Sequence, residues 1–324
     1  MTYETDNKAK TCFDEVYTSP TPHAYIAMMA KSGYEICEQS RPYCIAAAEV
    51  LKSHTEDAGP VQMLDIGCSY GMGSAFVKYG ISRDELVAFF STQAPQGLHA
   101  ACESMRSWIK TPTPYDIRCV GLDSSNPAIR FAMRAGLLDD YIARDFENPD
   151  ITPNAEERSL LRSCNLLIST GAIGYITDRT MAHVVRDAGK DQPSEFGPLA
   201  VLTILRMFDA TPIRDVFEKN GLRFEKVPEV MLPQRRFTDE NERKSVSKTL
   251  HDKHIDTSEW EDRGKQYAEL FIAAKPDHFP ELLEKMNETR SMSVHDEFER
   301  TAVRNSSNLG FFPITTKKNK KIRL

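Results

Sequence analysis

The sequence predicts an α/β fold: a doubly wound, mostly parallel sheet of seven strands whose last strand runs antiparallel, with a helical segment ahead of it and helical insertions within it. Three observations carry this expectation. Short apolar runs alternate with amphipathic helical stretches from about residue 61 to residue 222, the pattern of parallel strands joined by crossover helices. The first run, "VQMLDIGC" (61–68), passes straight into a turn holding Gly67, Gly71 and Gly73. Two late strand-like segments, 222–230 and 267–274, are separated by a polar helical insert over 234–263, which fits an edge that finishes antiparallel.

Taken in order, "PHAYIAMMAK" (22–31) and "RPYCIAAAEVLK" (41–52) are Ala-rich with apolar residues at helical spacing, and Pro42 is expected in a first helical turn. After the first strand, "RCVGLD" (118–123) is a second apolar strand ending in an acid. "SSNPAIRFAMRAGLLDD" follows as a helix, with Ser125 or Asn126 as cap, Pro127 in the first turn, and Ile129, Ala132, Met133 and Gly136 on one face. A weak third strand falls at about 141–144, a fourth opens "CNLLISTGAIGYI", and "PLAVLTILRMF" (198–208) is a fifth. "TPIRDVFEKNGL" (211–222) is a helix entered by Thr-Pro and left by Asn-Gly. The expected organisation is an N-terminal helical lid over 1–58, a core over 59–276 with insertions at about 80–115 and 234–263, and a C-terminal extension over 277–324.

Bulk properties narrow the function classes. The chain has 324 residues, 40% of them hydrophobic, enough for a sizeable core. Its net charge of −6 argues against a broad nucleic-acid-binding face. No apolar run reaches the roughly 18 residues of a membrane span, and the polar start "MTYETDNKAKTCFDE" does not resemble a targeting segment. Seven cysteines without a Cys-x-x-Cys pair suggest neither a disulfide framework nor a zinc knuckle, so a reducing, cytoplasmic setting is expected. No cluster has clear metal-ligand spacing, so no metal is expected. The basic tail "TTKKNKKIRL" reads as a solvated terminus, with contact to an anionic partner as the alternative.

The glycine turn sits where a doubly wound sheet binds ligands, at the carboxyl end of a strand. A dinucleotide fingerprint starting at Gly67 needs glycine at 69 and 72, which hold Ser69 and Met72. A phosphate loop needs a lysine, and none follows Gly73. What remains is an acid, then glycine or serine at alternate positions: Asp65, Gly67, Ser69 and Gly71.

This arrangement resembles the first motif of the Rossmann-like (class I) S-adenosylmethionine-dependent methyltransferases. The resemblance covers about 60–275, and four matches in order carry it. It implies that Asp65 lies near the amino-acid end of the methyl donor, and that the turn after it, with Gly67, Cys68, Ser69 and Gly71, makes room for the sugar and methionine part. It implies that Asp123, with Ser124 beside it, accepts both ribose hydroxyls. Asp145 and Phe146, after the third strand, would flank the adenine. Ser169, Thr170 and Gly171, with Tyr175, would mark the substrate side of the fourth strand. One departure stands out: Asp123 comes 52 residues after Gly71, where roughly 20 is usual. The excess, about 80–115, is expected as an inserted helix or two over the site.

The resemblance further implies S-adenosyl-L-methionine as cofactor, S-adenosyl-L-homocysteine as product, and methyl transfer to a small-molecule acceptor by direct displacement. Such a reaction needs alignment more than a marked catalytic motif. The expected catalytic candidates are Tyr175, Asp178 and His183, the nearest histidine to the fourth strand end. Against them stand a packing aromatic, a helix cap and a helix-face histidine. Arg235 and Arg236, just past the sixth strand, could hold a substrate carboxylate or phosphate, or make surface salt bridges. Tyr17 and Tyr25, and less so Tyr34 and Tyr43, could close over the cofactor or pack between helices. A homodimer is possible. Two other readings stay open. One is a non-catalytic scaffold on the same fold. The other is an NAD(P)-dependent oxidoreductase, disfavoured because Tyr175 is followed four residues later by Arg179 where a lysine is needed.

Overall fold

The computed structural model describes residues 14–54, 59–92, 97–109, 116–192 and 196–292. Its centre is one seven-stranded sheet: β1 (Val61–Ile66), β2 (Ile117–Asp123), β3 (Asp140–Ala143), β4 (Leu166–Ser169), β5 (Leu199–Leu205), β6 (Arg223–Arg236) and β7 (Lys265–Ala274), in the order β3-β2-β1-β4-β5-β7-β6. The first five are parallel. β7 is antiparallel to both β5 and β6, between which it inserts. The expected doubly wound sheet with an antiparallel last strand is therefore the observed one.

β1, β4 and β5 are buried almost without interruption, because helices cover both faces. From β1 the chain winds outward through β2 to β3; from β4 it winds the other way to β5. Right-handed crossovers in opposite directions place their helices on opposite faces. Met72–Tyr79 packs on the long helix Ile36–Ser53, while Ala155–Ser163, Asp178–Asp187 and Thr211–Lys219 pack in a row. The winding reverses between β1 and β4, and the carboxyl ends of these strands open a crevice there.

Several local expectations change. Pro42 lies inside the helix Ile36–Ser53 and not in its first turn, so the helix gives up one hydrogen bond there. The insertion after Tyr79 does form two helices, Arg83–Thr92 and Leu98–Trp108, but they do not cover the site. The first packs on His23–Ser32, with Phe90 edge-on to His23, and the second packs on Asn126–Arg134. β6 runs on to Arg236 through register shifts at Lys226/Met231 and Pro233/Arg235, so Arg235 and Arg236 belong to the strand. The polar insert is the helix Glu240–Asp252, capped by Asp239, followed by a short 3-10 turn at Glu261–Arg263. A last helix covers 279–292. The basic tail and Cys12 lie outside the described residues. No described helix is long and apolar enough to cross a membrane.

Candidate functional site

β1 ends at Ile66, and the turn that follows is built by unusual backbone. Gly67, Ser69 and Gly71 all have positive φ, at 77°, 47° and 75°. The Gly67 and Cys68 amides donate to Leu122 O (2.7 and 3.2 Å), tying the turn to β2. A Cβ on Gly67 would lie 2.4 Å from Ala172 Cβ, and one on Gly71 would lie 2.9 Å from Ala132 Cβ. These two glycines are therefore required by the protein's own close packing as well as by φ. Gly73 differs, because its position faces Asp65 Oδ2 at 2.9 Å.

Two carboxylates anchor the turn. Asp65 Oδ2 accepts from the Ser74 amide and hydroxyl, both at 3.0 Å, so it binds the N-terminal turn of Met72–Tyr79. Full burial nevertheless pushes its carboxyl up to about 6. Asp123 stands at the end of β2. Its Oδ2 accepts from the Ser69 amide (2.8 Å) and its Oδ1 from the Ser125 amide (2.7 Å). Burial raises this carboxyl too. Each oxygen keeps a further lone pair, so a diol could still donate to both. Ser69 Oγ is buried with no hydrogen-bond partner, the kind of orphan that a bound polar ligand satisfies.

These groups open onto a cavity of about 380 Å³, within the range of small-molecule sites. Asp65, Gly67, Cys68, Ser69, Asp123 and Ser124 line one part of it. Asp145 and Phe146, just past β3, line a second part together with Arg144 and Glu147. Arg144 Nε donates to Glu157 Oε1 at 2.6 Å. Glu147 accepts from Thr177 N (2.8 Å), Thr177 Oγ1 (2.6 Å) and Thr180 Oγ1 (2.6 Å), so it clamps the start of Asp178–Asp187.

The third part comes from the turn after β4 and the N-terminal segment. Thr170, Gly171, Ala172, Tyr175 and Ile176 face Tyr17, Tyr25, Tyr34 and Cys37 across it. Cys37 Sγ lies 3.2 Å from Thr170 Oγ1. Burial pushes the Cys37 thiol up to about 12 and holds the phenols of Tyr17, Tyr25 and Tyr34 well above the usual tyrosine range, so all four stay neutral. The segment is fastened down by Tyr70, whose hydroxyl reaches Val16 O (2.9 Å) and Ser19 O (2.7 Å), and by Ser125 Oγ, which donates to Tyr17 O.

Most of the expected residues thus meet in one place, and seven do not, among them Tyr43, which is buried in the helix Ile36–Ser53 away from the cavity. Gly71 and Ser169 stand behind the wall: Gly71 packs on Ala132 and Leu137, and Ser169 Oγ donates to Ile66 O at 2.9 Å. His183 lies outside the lining, its ring 5.4 Å from that of Phe146, with its Nδ1 buried and unpartnered. Desolvation, then the charges of Arg186 and Arg158, lowers its pKa. Asp178 is the first residue of its helix, which Thr177 caps, and does not line the cavity. Arg235 and Arg236 are also elsewhere. The Arg235 guanidinium is buried and bidentate on Glu242 (2.8 and 2.6 Å), and Arg236 donates to Lys31 O at 2.7 Å. The pairing partner, Glu242, lies on the following helix, so Arg235 holds the insert on the sheet.

Sequence reasoning missed Tyr70, Glu147 and Cys37. A large aromatic within a glycine turn was the one available signal for Tyr70. Nothing local marks Cys37, which only the packing of Ile36–Ser53 brings to Thr170.

No family model matches the chain, and neither does any curated protein sequence. Solved structures do resemble it. The plantazolicin methyltransferase BpumL, solved with S-adenosylhomocysteine (SAH), is 11% identical at a TM-score of 0.38, over 84% of this chain and 96% of that one. The magnesium protoporphyrin IX methyltransferase of Synechocystis PCC 6803, also with SAH, is 10% identical at 0.35, over 75% and 85%. YcgJ of Bacillus subtilis is 12% identical at 0.34, over 71% and 97%. Those values leave the functional question to the residues of the cavity itself.

Proposed function

We propose that this protein is an S-adenosylmethionine-dependent methyltransferase acting on a small molecule. The observation that carries the reading is a pair of carboxylates, the buried Asp65 and the half-buried Asp123, on neighbouring parallel strands and facing one cavity across a positive-φ turn. The donor set fits the cofactor. Asp65 would face its ammonium. Asp123, with free lone pairs on both oxygens, would accept the ribose hydroxyls. Ser69 Oγ offers an unpaired hydroxyl, and Phe146, buried, offers an apolar surface beside the adenine.

When bound, the cofactor supplies an activated methyl group on a sulfonium. The protein's part is then positioning and exclusion of water. Tyr70 and Ser125 hold the Val16–Ser19 strap down, which brings Tyr17 and Thr18 over the crevice. Tyr34 and Cys37 close it against Thr170 and Gly171. No histidine lines the cavity among the described residues. Displacement by alignment does not require one. Calorimetry with SAH tests the reading: one site per chain is expected, and Asp123→Ala should weaken it at least about tenfold, or 1.4 kcal/mol. An Asp123→Ala protein that binds as tightly as wild type overturns the ribose assignment.

A further inference from the structure

The cavity divides by charge. Its carboxylates, Asp65, Asp123, Asp145 and Glu147, stand at the ends of β1, β2 and β3. β4 lies on the other side of β1 from β2 and β3, and the wall made by its turn and the N-terminal segment carries no charge: Tyr17, Tyr25, Tyr34, Cys37, Thr170 and Ile176. Burial keeps the phenols and the thiol protonated. The one cation among the described lining residues, Arg144, lies past β3 and is paired with Glu157. Among the described residues no cation lines the uncharged wall; Arg235 stands within electrostatic reach of Tyr17 but outside the lining and bidentate on Glu242, and Asp65 and Asp123 are close enough to Tyr25 to raise its pKa further. Nor does that wall hold a side chain suited to taking a proton at neutral pH.

We infer that the uncharged wall receives an electroneutral acceptor that presents a neutral lone pair, a ring or tertiary nitrogen foremost, and excludes carboxylate and phosphate compounds. The inference rests on the methyltransferase reading above. With such an acceptor the nitrogen pair forms the new bond to the methyl carbon, the carbon–sulfur pair remains on sulfur, and the positive charge moves from sulfur to nitrogen. No proton has to leave, so no base is required. The product cation forms beside tyrosine rings, Tyr17 and Tyr25 being 5.7 Å apart, whose faces attract cations. An unpaired carboxylate at the same wall would lose its hydration without compensation.

The test uses the full chain and three probes of matched size: isoquinoline, 2-naphthol and 2-naphthoate. SAH binding is first measured by calorimetry; its absence would refute the methyltransferase reading and not this inference. Each probe is then titrated into the SAH-loaded protein, with binding followed by saturation-transfer NMR. Isoquinoline is expected to bind at least about tenfold more tightly than 2-naphthoate, a difference of 1.4 kcal/mol. Thr18→Lys, which adds a cation at the exposed edge of the cavity, should narrow that ratio. Equal or tighter binding of 2-naphthoate overturns the inference, as does a failure of all three probes while SAH binds. With labelled cofactor, methylation of isoquinoline should be flat with pH across the neutral range; a rate that climbs with the deprotonation of a protein group also overturns it.

Discussion

Replacing Gly67 by alanine should be among the most damaging single-methyl additions in the protein. The backbone there has φ of 77°, and the new Cβ would stand 2.4 Å from Ala172 Cβ and 2.9 Å from Ile176 Cδ1. Left-handed backbone costs a non-glycine residue about 1–2 kcal/mol. The clash adds roughly 1–3 kcal/mol, because Ala172 has no long side chain to swing away and the turn after β4 must move. The total, about 2–5 kcal/mol, is a large share of the roughly 5–15 kcal/mol that holds a domain together. Gly221 supplies the control: its φ is 79° but nothing lies within 4 Å of its Cβ position, so Gly221→Ala should show the backbone cost alone. Urea unfolding of both variants, and of Gly67→Ala/Ala172→Gly, separates the two contributions. The double variant should recover most of the clash. Equal losses for Gly67→Ala and Gly221→Ala would refute the reasoning.

Three further outcomes are expected. Arg235→Met should destabilise the fold by about 3–5 kcal/mol, because it strands the buried Glu242 carboxylate, while Arg235→Met/Glu242→Leu should recover most of the loss; denaturation midpoints decide. Asp65 titrates near 6 in the folded chain against an ordinary 3.8, so its contribution favours folding fully below about pH 4 and is lost as pH rises through 6, by roughly 3 kcal/mol. Asp65→Asn should flatten the stability profile over that window, and an unchanged slope counts against the assignment. Tyr70→Phe keeps the buried ring but frees two carbonyls of the strap, so SAH affinity should fall by about tenfold (1.4 kcal/mol) for about 1–3 kcal/mol of lost anchoring; calorimetry showing no change would remove Tyr70 from the closure.

What the sequence disclosed follows from how locally each feature is encoded. β1 and β5 are legible because strands buried on both faces are continuous apolar runs, "VQMLDI" and "LAVLTIL". Asp65 and Asp123 are legible because each is an acid at the carboxyl end of an otherwise apolar run, and both turn out to anchor the backbone that follows or faces them as well as to line the cavity. The length of β6 is not, since Pro228, Pro233 and several charged residues interrupt the strand signal that the edge position tolerates. Arg235 reads as a free cation until Glu242 is brought onto it from the following helix. Gly71 matches the expected motif yet packs on Ala132 and Leu137, so matching a pattern did not by itself reveal which glycines face the cavity. His183 was singled out by nearness in sequence, and a helix placed it beside Phe146, outside the lining.

The central claim is that the cavity lined by Tyr17, Asp65 and Asp123 holds an adenosyl sulfonium. Calorimetric titration of the purified chain with S-adenosylhomocysteine tests it most directly. One site per chain, weakened at least about tenfold by Asp123→Ala, is the expected result. An absence of binding to the folded wild-type protein would contradict the account.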